Sequence, residues 1–412
     1  CALSMSQQGP IIIVSTGARP SFASALDETR LFPIVDADWA EAARAVEQLS
    51  PGAIVVASSG INKPALESLA RQVAAREPFT PMIVVDADMR LPDNAIPFAY
   101  SGDHPERLLA RISSVLRVRS LHATAMRRLD PPRRVAISDI DPARDATVLL
   151  IGRGGAYPAL SVALGERVGV VGALSIEAAA KHLNARDIDG IVLADGFTPR
   201  VVDAFLTVLA EDTRFRNLPV IVTSGSPQAN YELANLETVA SDPGRVAASL
   251  LPMAHLHAFE VHLSRTLRSI DGNGLIDARA GLLARAAFAR DFATAVYQSQ
   301  SRGGGLSVAR FAFDPAHPRA QFDGARIISR LMRQSDFGVA LEDGSVCVVL
   351  AETDLRNAHM IARRLLAVMR HTSHGRRDSD AEPVVSVGTL MPNDTAKSLL
   401  ARLAGDMHRA AS

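Results

Sequence analysis

Between residues 10 and 120, short apolar runs alternate with stretches in which apolar positions recur every three or four residues. Ile11-Ile12-Ile13-Val14, Pro33-Ile34-Val35, Ala53-Ile54-Val55-Val56, Met82-Ile83-Val84-Val85 and Ala95-Ile96-Pro97-Phe98 are apolar on consecutive positions, which predicts strands buried on both faces. Amphipathic helices are predicted between them, around Trp39 to Leu49, Ala65 to Arg76 and Pro105 to Val118. The alternation implies a parallel sheet with helices on both faces, of flavodoxin-like size.

The same order returns from Ala146 to about Ile270. Its strands are Val148-Leu149-Leu150-Ile151, Val168-Gly169-Val170-Val171, Gly190-Ile191-Val192-Leu193, Pro219-Val220-Ile221-Val222 and Thr238-Val239-Ala240. Helices are predicted over Ile176 to Asn184 and Pro199 to Glu211. The chain thus opens with two copies of one α/β unit. Asp130-Pro131-Pro132-Arg133-Arg134 reads as the linker, because consecutive prolines suit neither a helix nor an inner strand. A long helical stretch closes the second copy. On it Leu256, Phe259, Leu263 and Leu267 form a stripe at helical spacing, read as core or dimer seam. His255, His257 and His262 do not share one face, so no metal site is predicted there.

After residue 274 the pattern changes. Leu306 to Asp314, Val346-Cys347-Val348-Val349-Leu350 and Val384 to Gly388 predict strands, and Asp343-Gly344 between apolar runs predicts a tight hairpin turn. Pro315 and Pro318 are expected to interrupt any helix there. Three domains follow, residues 10–120, 145–270 and 274–412, the first two doubly wound α/β and the last α+β.

Composition narrows the function classes. In 412 residues, 44 Lys and Arg balance 44 Asp and Glu, so the chain lacks the basic surplus of a nucleic-acid binder. No apolar run is long enough to span a bilayer. The two cysteines, Cys1 and Cys347, build no disulfide framework, and a reducing cytoplasm is the expected location. The non-Met start reads as a trimmed chain, with Met5 the candidate native start.

Both copies resemble response-regulator receiver domains. Phosphoryl chemistry in that family needs an acidic pair after the first strand, an acceptor Asp after the third, a Thr or Ser after the fourth and a Lys after the fifth. Cations must neutralise the crowded phosphoryl oxygens before a carboxylate attacks. The first copy has Ser15-Thr16 and Ala57 at the first two places, and phosphorylation is not expected there. The second has Gly152-Arg153 for the acidic pair and Asp242 for the Lys, while Ala194 or Asp195 stands at the acceptor and Thr223 or Ser224 at the switch hydroxyl. Asp195 is the candidate phosphorylation site, weighed against a polar residue at a strand end. Gly152-Arg153-Gly154-Gly155 does not complete a dinucleotide fingerprint, because Tyr157 replaces the last glycine, and reads as a flexible turn.

In the last third, Arg333-Gln334-Ser335-Asp336 is followed after five residues by Glu342-Asp343-Gly344-Ser345-Val346. This resembles the end of a GGDEF nucleotide-cyclase domain, in which RxxD precedes the GG(D/E)EF signature by five residues. Asp277, Gly281, Leu282, Arg285 and Phe288 match that family's opening segment, where an Asp-to-Arg contact holds the first helix. Val348 to Leu355, Val384 to Gly388 and Leu399 to Ala411 match later segments. Ala312 and Gly344 fall on the family's two metal-binding acids, and Glu342 and Asp343 fall on its glycines. Two-metal phosphodiester synthesis needs converging carboxylates. The resemblance therefore implies the fold without the catalysis, and no enzyme is expected.

RxxD in that family belongs to a binding site for the product, cyclic di-GMP, completed by an Arg on the helix after the hairpin. The offset puts that residue at Arg364, so the implied triad is Arg333, Asp336 and Arg364. Arg333 and Asp336 are three apart at a helix end, so their side chains are expected to emerge on one side. A guanidinium pairs with phosphate or with guanine O6 and N7, and a carboxylate accepts from guanine N1-H and N2-H. Arg330 and Arg363 are further phosphate-pairing candidates. The competing reading of RxxD is a solvated ion pair on a helix. The implied function is a catalytically silent cyclic di-GMP receptor in bacterial signalling, without cofactor or metal. It would form a homodimer and dock a protein partner through its first two domains. The alternatives are an active diguanylate cyclase and a ligand-free scaffold.

Overall fold

The computed structural model describes residues 9–100, 105–128, 145–223, 231–271, 275–302, 305–333, 335–372 and 382–410. The described chain begins with β1 (Ile11–Val14), α1 (Ser21–Thr29), β2 (Ile34–Ala37), α2 (Ala42–Leu49), β3 (Ala53–Ala57), α3 (Lys63–Ala74), β4 (Met82–Val85), β5 (Ala95–Phe98) and α4 (Pro105–Arg128). The five strands form a parallel sheet in the order β2-β1-β3-β4-β5, with Ile12 paired to Val35 on one side and Ile54 on the other. This second-first-third-fourth-fifth order is the flavodoxin-like one. The apolar run of β1 is fully buried, as a strand covered on both faces must be. α4 continues to Arg128 rather than stopping near Val118.

The second copy comprises β6 (Thr147–Ile151), α5 (Tyr157–Gly165), β7 (Gly169–Ala173), α6 (Ile176–Ala185), β8 (Gly190–Leu193), α7 (Pro199–Glu211), β9 (Val220–Val222), β10 (Leu236–Thr238) and α8 (Pro243–Asp271). Its sheet order, β10-β9-β8-β6-β7, is the same arrangement. β10 lies over Leu236–Thr238, not Thr238 to Ala240. The displacement has a physical cause: Glu237 is a buried acid in the middle of the strand, which a search for apolar runs passes over. The prolines of the proposed linker lie outside the described residues. α8 carries Pro252 within it.

The third sheet is built from β11 (Leu306–Ala312), α10 (Pro318–Leu331), β12 (Phe337–Ala340), β13 (Ser345–Ala351), α11 (Leu355–Thr372) and β14 (Val384–Thr389), preceded by α9 (Arg285–Arg302) and followed by α12 (Ala396–Ala410). The order β12-β13-β11-β14, antiparallel in every pairing, is a βαββαβ sheet. Strand alternation divides its core. Ala309, Phe311, Val346, Val348 and Leu350 face α10 and α11, while Val308, Cys347 and Val349 face α9 and α12. Pro318 stands in the first turn of α10, where its missing N–H breaks no bond, so the proline begins a helix instead of interrupting one.

Two compact units emerge from the chain contacts. The first takes residues 1–169, 173–176 and 188–263 and holds most of both parallel sheets. The second takes 170–172, 177–187 and 264–412, and so includes most of α6. Within the first unit, α8 is bound to α4. Arg117 forks onto Glu260 at 3.0 and 2.9 Å, and the Phe259 ring meets Phe79 and His122 edge-on. Phe259 and the buried Leu263 are thus packed inside the unit, which is the core reading of the apolar stripe. His257 faces Asp189 at 3.1 Å, a pairing within the unit.

Arg111 on α4 is only 1% exposed, and burial lowers its pKa from the ordinary value. It donates to Glu237 Oε1 at 2.9 Å and to the carbonyls of Ala234 and Pro97 at 3.1 and 3.2 Å. Removing one partner of a buried pair strands the other charge, which costs about 3–5 kcal/mol. Glu237→Ala is expected to lower the stability of the first unit by that amount, measured as a fall in urea midpoint, whereas Arg44→Ala, in an exposed pair with Glu41, should change it by about 0–1 kcal/mol.

Candidate ligand site

α10 positions the RxxD segment. One side of the helix, Ala325, Ile327 and Ile328, is buried in the third sheet's core. The other presents Arg319, Asp323, Arg326 and Arg330 at helical spacing. Asp187, directly after α6 and in the same compact unit, pairs with Arg330 and with Arg265 of α8, and lies 4.0 Å from Arg326. Arg330 also donates to the Arg186 carbonyl at 2.8 Å, where the carbonyl end of α6 favours a cation. Arg330, although exposed, is therefore engaged by groups of its own compact unit.

α10 ends at Leu331, and its last turn is closed by the Met332 amide on the Ile328 carbonyl. Arg333 and Asp336 lie beyond it, so the helix-face reading is corrected: a turn brings them together, with the Asp336 amide donating to the Arg333 carbonyl at 3.1 Å. Asp336 is 9% exposed, and its Oδ1 accepts from the Ala351 amide at 3.2 Å at the end of β13. Burial raises the carboxyl pKa above its ordinary value; the Ala351 and Arg333 amides and the Arg333 charge offset this in part. Arg333 itself is exposed and joins no ion pair among the described residues. Arg364 is also exposed, on α11, nine residues and so about 14 Å along the axis from the helix start. Among the described residues no hydrogen bond or ion pair joins it to Asp336. The structure thus brings Arg333 and Asp336 into one turn and leaves Arg364 on a separate helix.

The neighbouring hairpin closes where Asp343-Gly344 predicts it. Leu341 donates to the Ser345 carbonyl at 2.8 Å, and Gly344 takes φ +80°, the left-handed conformation that favours glycine. Asp343 accepts from the Ser345 amide at 3.0 Å and from Arg310 at 2.5 Å. Gln321 of α10 donates to the Leu341 and Ser345 carbonyls at 2.6 and 3.0 Å. Ala312 pairs with Ser345 across the strands, so neither Ala312 nor Gly344 brings a side-chain oxygen to this edge. Asp314 is held by the Ala316 amide and by His317. The expected Asp277-to-Arg contact is replaced: Asp277 accepts from the Arg279 and Ala280 amides, and Arg285 pairs with Glu342. Burial pushes the Cys347 thiol up to about 12, which makes it unreactive.

Asp195 follows β8. Its carbonyl accepts from the amides of Arg153 and Gly154 at 2.9 and 3.1 Å, and its carboxylate accepts from Ser241 at 3.4 Å. A Cβ on Gly154 would come within 2.7 Å of the Asp195 Cβ, so the glycine turn is packed tightly rather than flexible. Asp242, at the family's Lys position, caps α8 through the Arg245 amide at 2.8 Å. The Thr223 hydroxyl oxygen is buried without a hydrogen-bond partner among the described residues, and Ser224 lies outside them.

Neither a protein-family model nor a curated protein matches the chain. Solved structures resemble about a third of it. A sensory box/GGDEF family protein from Caulobacter crescentus is 23% identical, over 33% of this chain and 97% of its own, at TM-score 0.28. The coiled coil and GGDEF domain of DgcB from the same organism, in complex with c-di-GMP, is 16% identical over 36% and 86%, at TM-score 0.28. The FimX GGDEF domain from Pseudomonas aeruginosa is 17% identical over 33% and 94%, at TM-score 0.29. Likenesses at this level decide nothing about function.

Asp187→Ala would leave Arg265, Arg326 and Arg330 facing one another without their shared acid. The variant is expected to lose about 3–5 kcal/mol, read in chemical denaturation. Glu342→Ala, which removes an exposed partner of Arg285, should lose about 0–1 kcal/mol.

Proposed function

We propose that the chain is a cyclic di-GMP receptor of the GGDEF type that does not make its ligand, and that Arg333, Asp336 and Arg364 hold the dinucleotide. The observation that carries this reading is the turn after α10. A carboxylate held in place by a strand amide stands beside an exposed guanidinium that joins no ion pair among the described residues, an arrangement with one acceptor for guanine N–H groups and one cation for guanine or phosphate. Arg364, exposed one helix away, suits a second point on an extended ligand rather than a direct contact with Asp336.

Cyclase chemistry is disfavoured by the donor set at the hairpin. Ala312 and Gly344 offer no carboxylate, and Asp343, next to Gly344 in the chain, is paired with Arg310. A divalent cation does not fit there, and no step through one is derived. For the first two α/β copies, the shared second-first-third-fourth-fifth strand order supports the receiver reading. The Asp195 carboxylate has Ser241 beside it and, at the two positions after β6, Gly152 and Arg153 rather than acids, so phosphoryl transfer is not its assigned role. These copies serve as partner-docking and dimerisation surfaces.

Calorimetric titration with cyclic di-GMP is expected to give saturable heat, and Arg333→Ala to weaken binding by about tenfold or more, the loss of a charged hydrogen bond worth about 1.5–3 kcal/mol. Identical heats for the two proteins would remove the site. Binding needs the ionised carboxylate, while burial favours the protonated form. Affinity should therefore fall on acidification at a pH above the ordinary aspartate value of 3.8, and Asp336→Asn should flatten that dependence. Purified protein incubated with GTP and Mg2+ is expected to form no cyclic di-GMP.

A further inference from the structure

α11 contains no acidic residue in its eighteen positions. Its inner face, Ala358, Ala362, Leu365 and Met369, is spent on the sheet core. The opposite face carries Met360 and Ala367 seven residues apart, with Arg363 on one side of that seam, Arg364 on the other, and Arg356 one turn before Met360. Met360 is 56% exposed. Arg356, Arg363 and Arg364 are exposed and form no ion pair or hydrogen bond among the described residues, whereas Arg370 is paired with Glu382. In a chain whose formal charges cancel, this is a local positive surplus.

Nothing in the helix itself calls for these cations. Arg356 sits in the first turn, where the helix dipole disfavours positive charge by about 0.3–1 kcal/mol. An apolar seam edged by arginines is instead the complement of an apolar seam edged by acids. Arg and Met are enriched in protein interfaces, and a methionine adapts to the shape of its partner. A nucleic-acid surface would be basic without an apolar centre.

We infer that the exposed face of α11 docks an acidic amphipathic helix of a partner protein. Met360 and Ala367 take its apolar residues, and Arg356, Arg363 and Arg364 pair with the carboxylates along its edges. The inference goes beyond the receptor reading and stands without it, because Arg356 and Met360 lie outside the proposed ligand site; Arg364 is shared by the two surfaces.

A displayed library of helical peptides, each the eighteen-residue length of α11, selected on the full chain tests this. Selected peptides are expected to carry Asp or Glu on both sides of an apolar seam and to slow amide exchange within α11. Arg356→Ser combined with Met360→Ser should weaken the best peptide by about tenfold or more, with Arg363→Ser acting in the same direction. All three side chains are exposed, so circular dichroism is expected to be unchanged. Four outcomes would overturn the inference: no acidic peptide selected, protection elsewhere, an unaffected double variant, or equal binding of a single-stranded oligonucleotide. Self-association that the double variant abolishes would also overturn it, assigning the face to a second copy. Cyclic di-GMP titration of the double variant is expected to match the parent protein, so failure of docking and failure of the ligand site are read separately.

Discussion

A carboxylate withdrawn from water must be met by donors or give up its charge. Asp336 is in that position, nearly buried where the turn after α10 meets the end of β13, and the Ala351 amide is its backbone partner. Together with the Arg333 amide, that bond ties the turn after α10 to the closing residue of β13. The Arg333 side chain is exposed, while its carbonyl accepts from the Asp336 amide. The same contact that shapes the fold locally holds the carboxylate of the proposed ligand site in place.

Charge burial organises the rest of the molecule in a comparable way. Arg111 reaches one acid and two carbonyls and so fixes α4 against β10. Asp187 gathers arginines from α8 and α10 beside the end of α6. In each case a lone charge away from water is surrounded by several partners of opposite polarity, and helices from distant parts of the sequence are held in one arrangement. Apolar packing supplies most of the favourable free energy, but it does not by itself choose among neighbouring registers as these pairs do.

The apolar runs revealed nearly every strand because a strand covered on both faces has to be apolar at consecutive positions. They failed at β10, where Glu237 interrupts the run and is satisfied from α4, a partner with no signature near residue 237. RxxD was legible as a motif, but its placement was not. Helical spacing put both side chains on one face, while the observed turn depends on where α10 stops, set by the Met332 amide. Pro318 suggests a helix breaker from sequence because the effect of a proline depends on its position within a helix, and the residues around it do not mark α10 as starting there. Arg285 pairing with Glu342 instead of Asp277 was invisible for the same reason: the choice between two acids is made by distance in the folded chain.

Arg310 projects from β11 onto the hairpin, where it engages Asp343 and Ser345. A charge rooted in a central strand thereby staples the hairpin at its base, so the loop geometry rests on a tether from outside the turn as well as on its glycine.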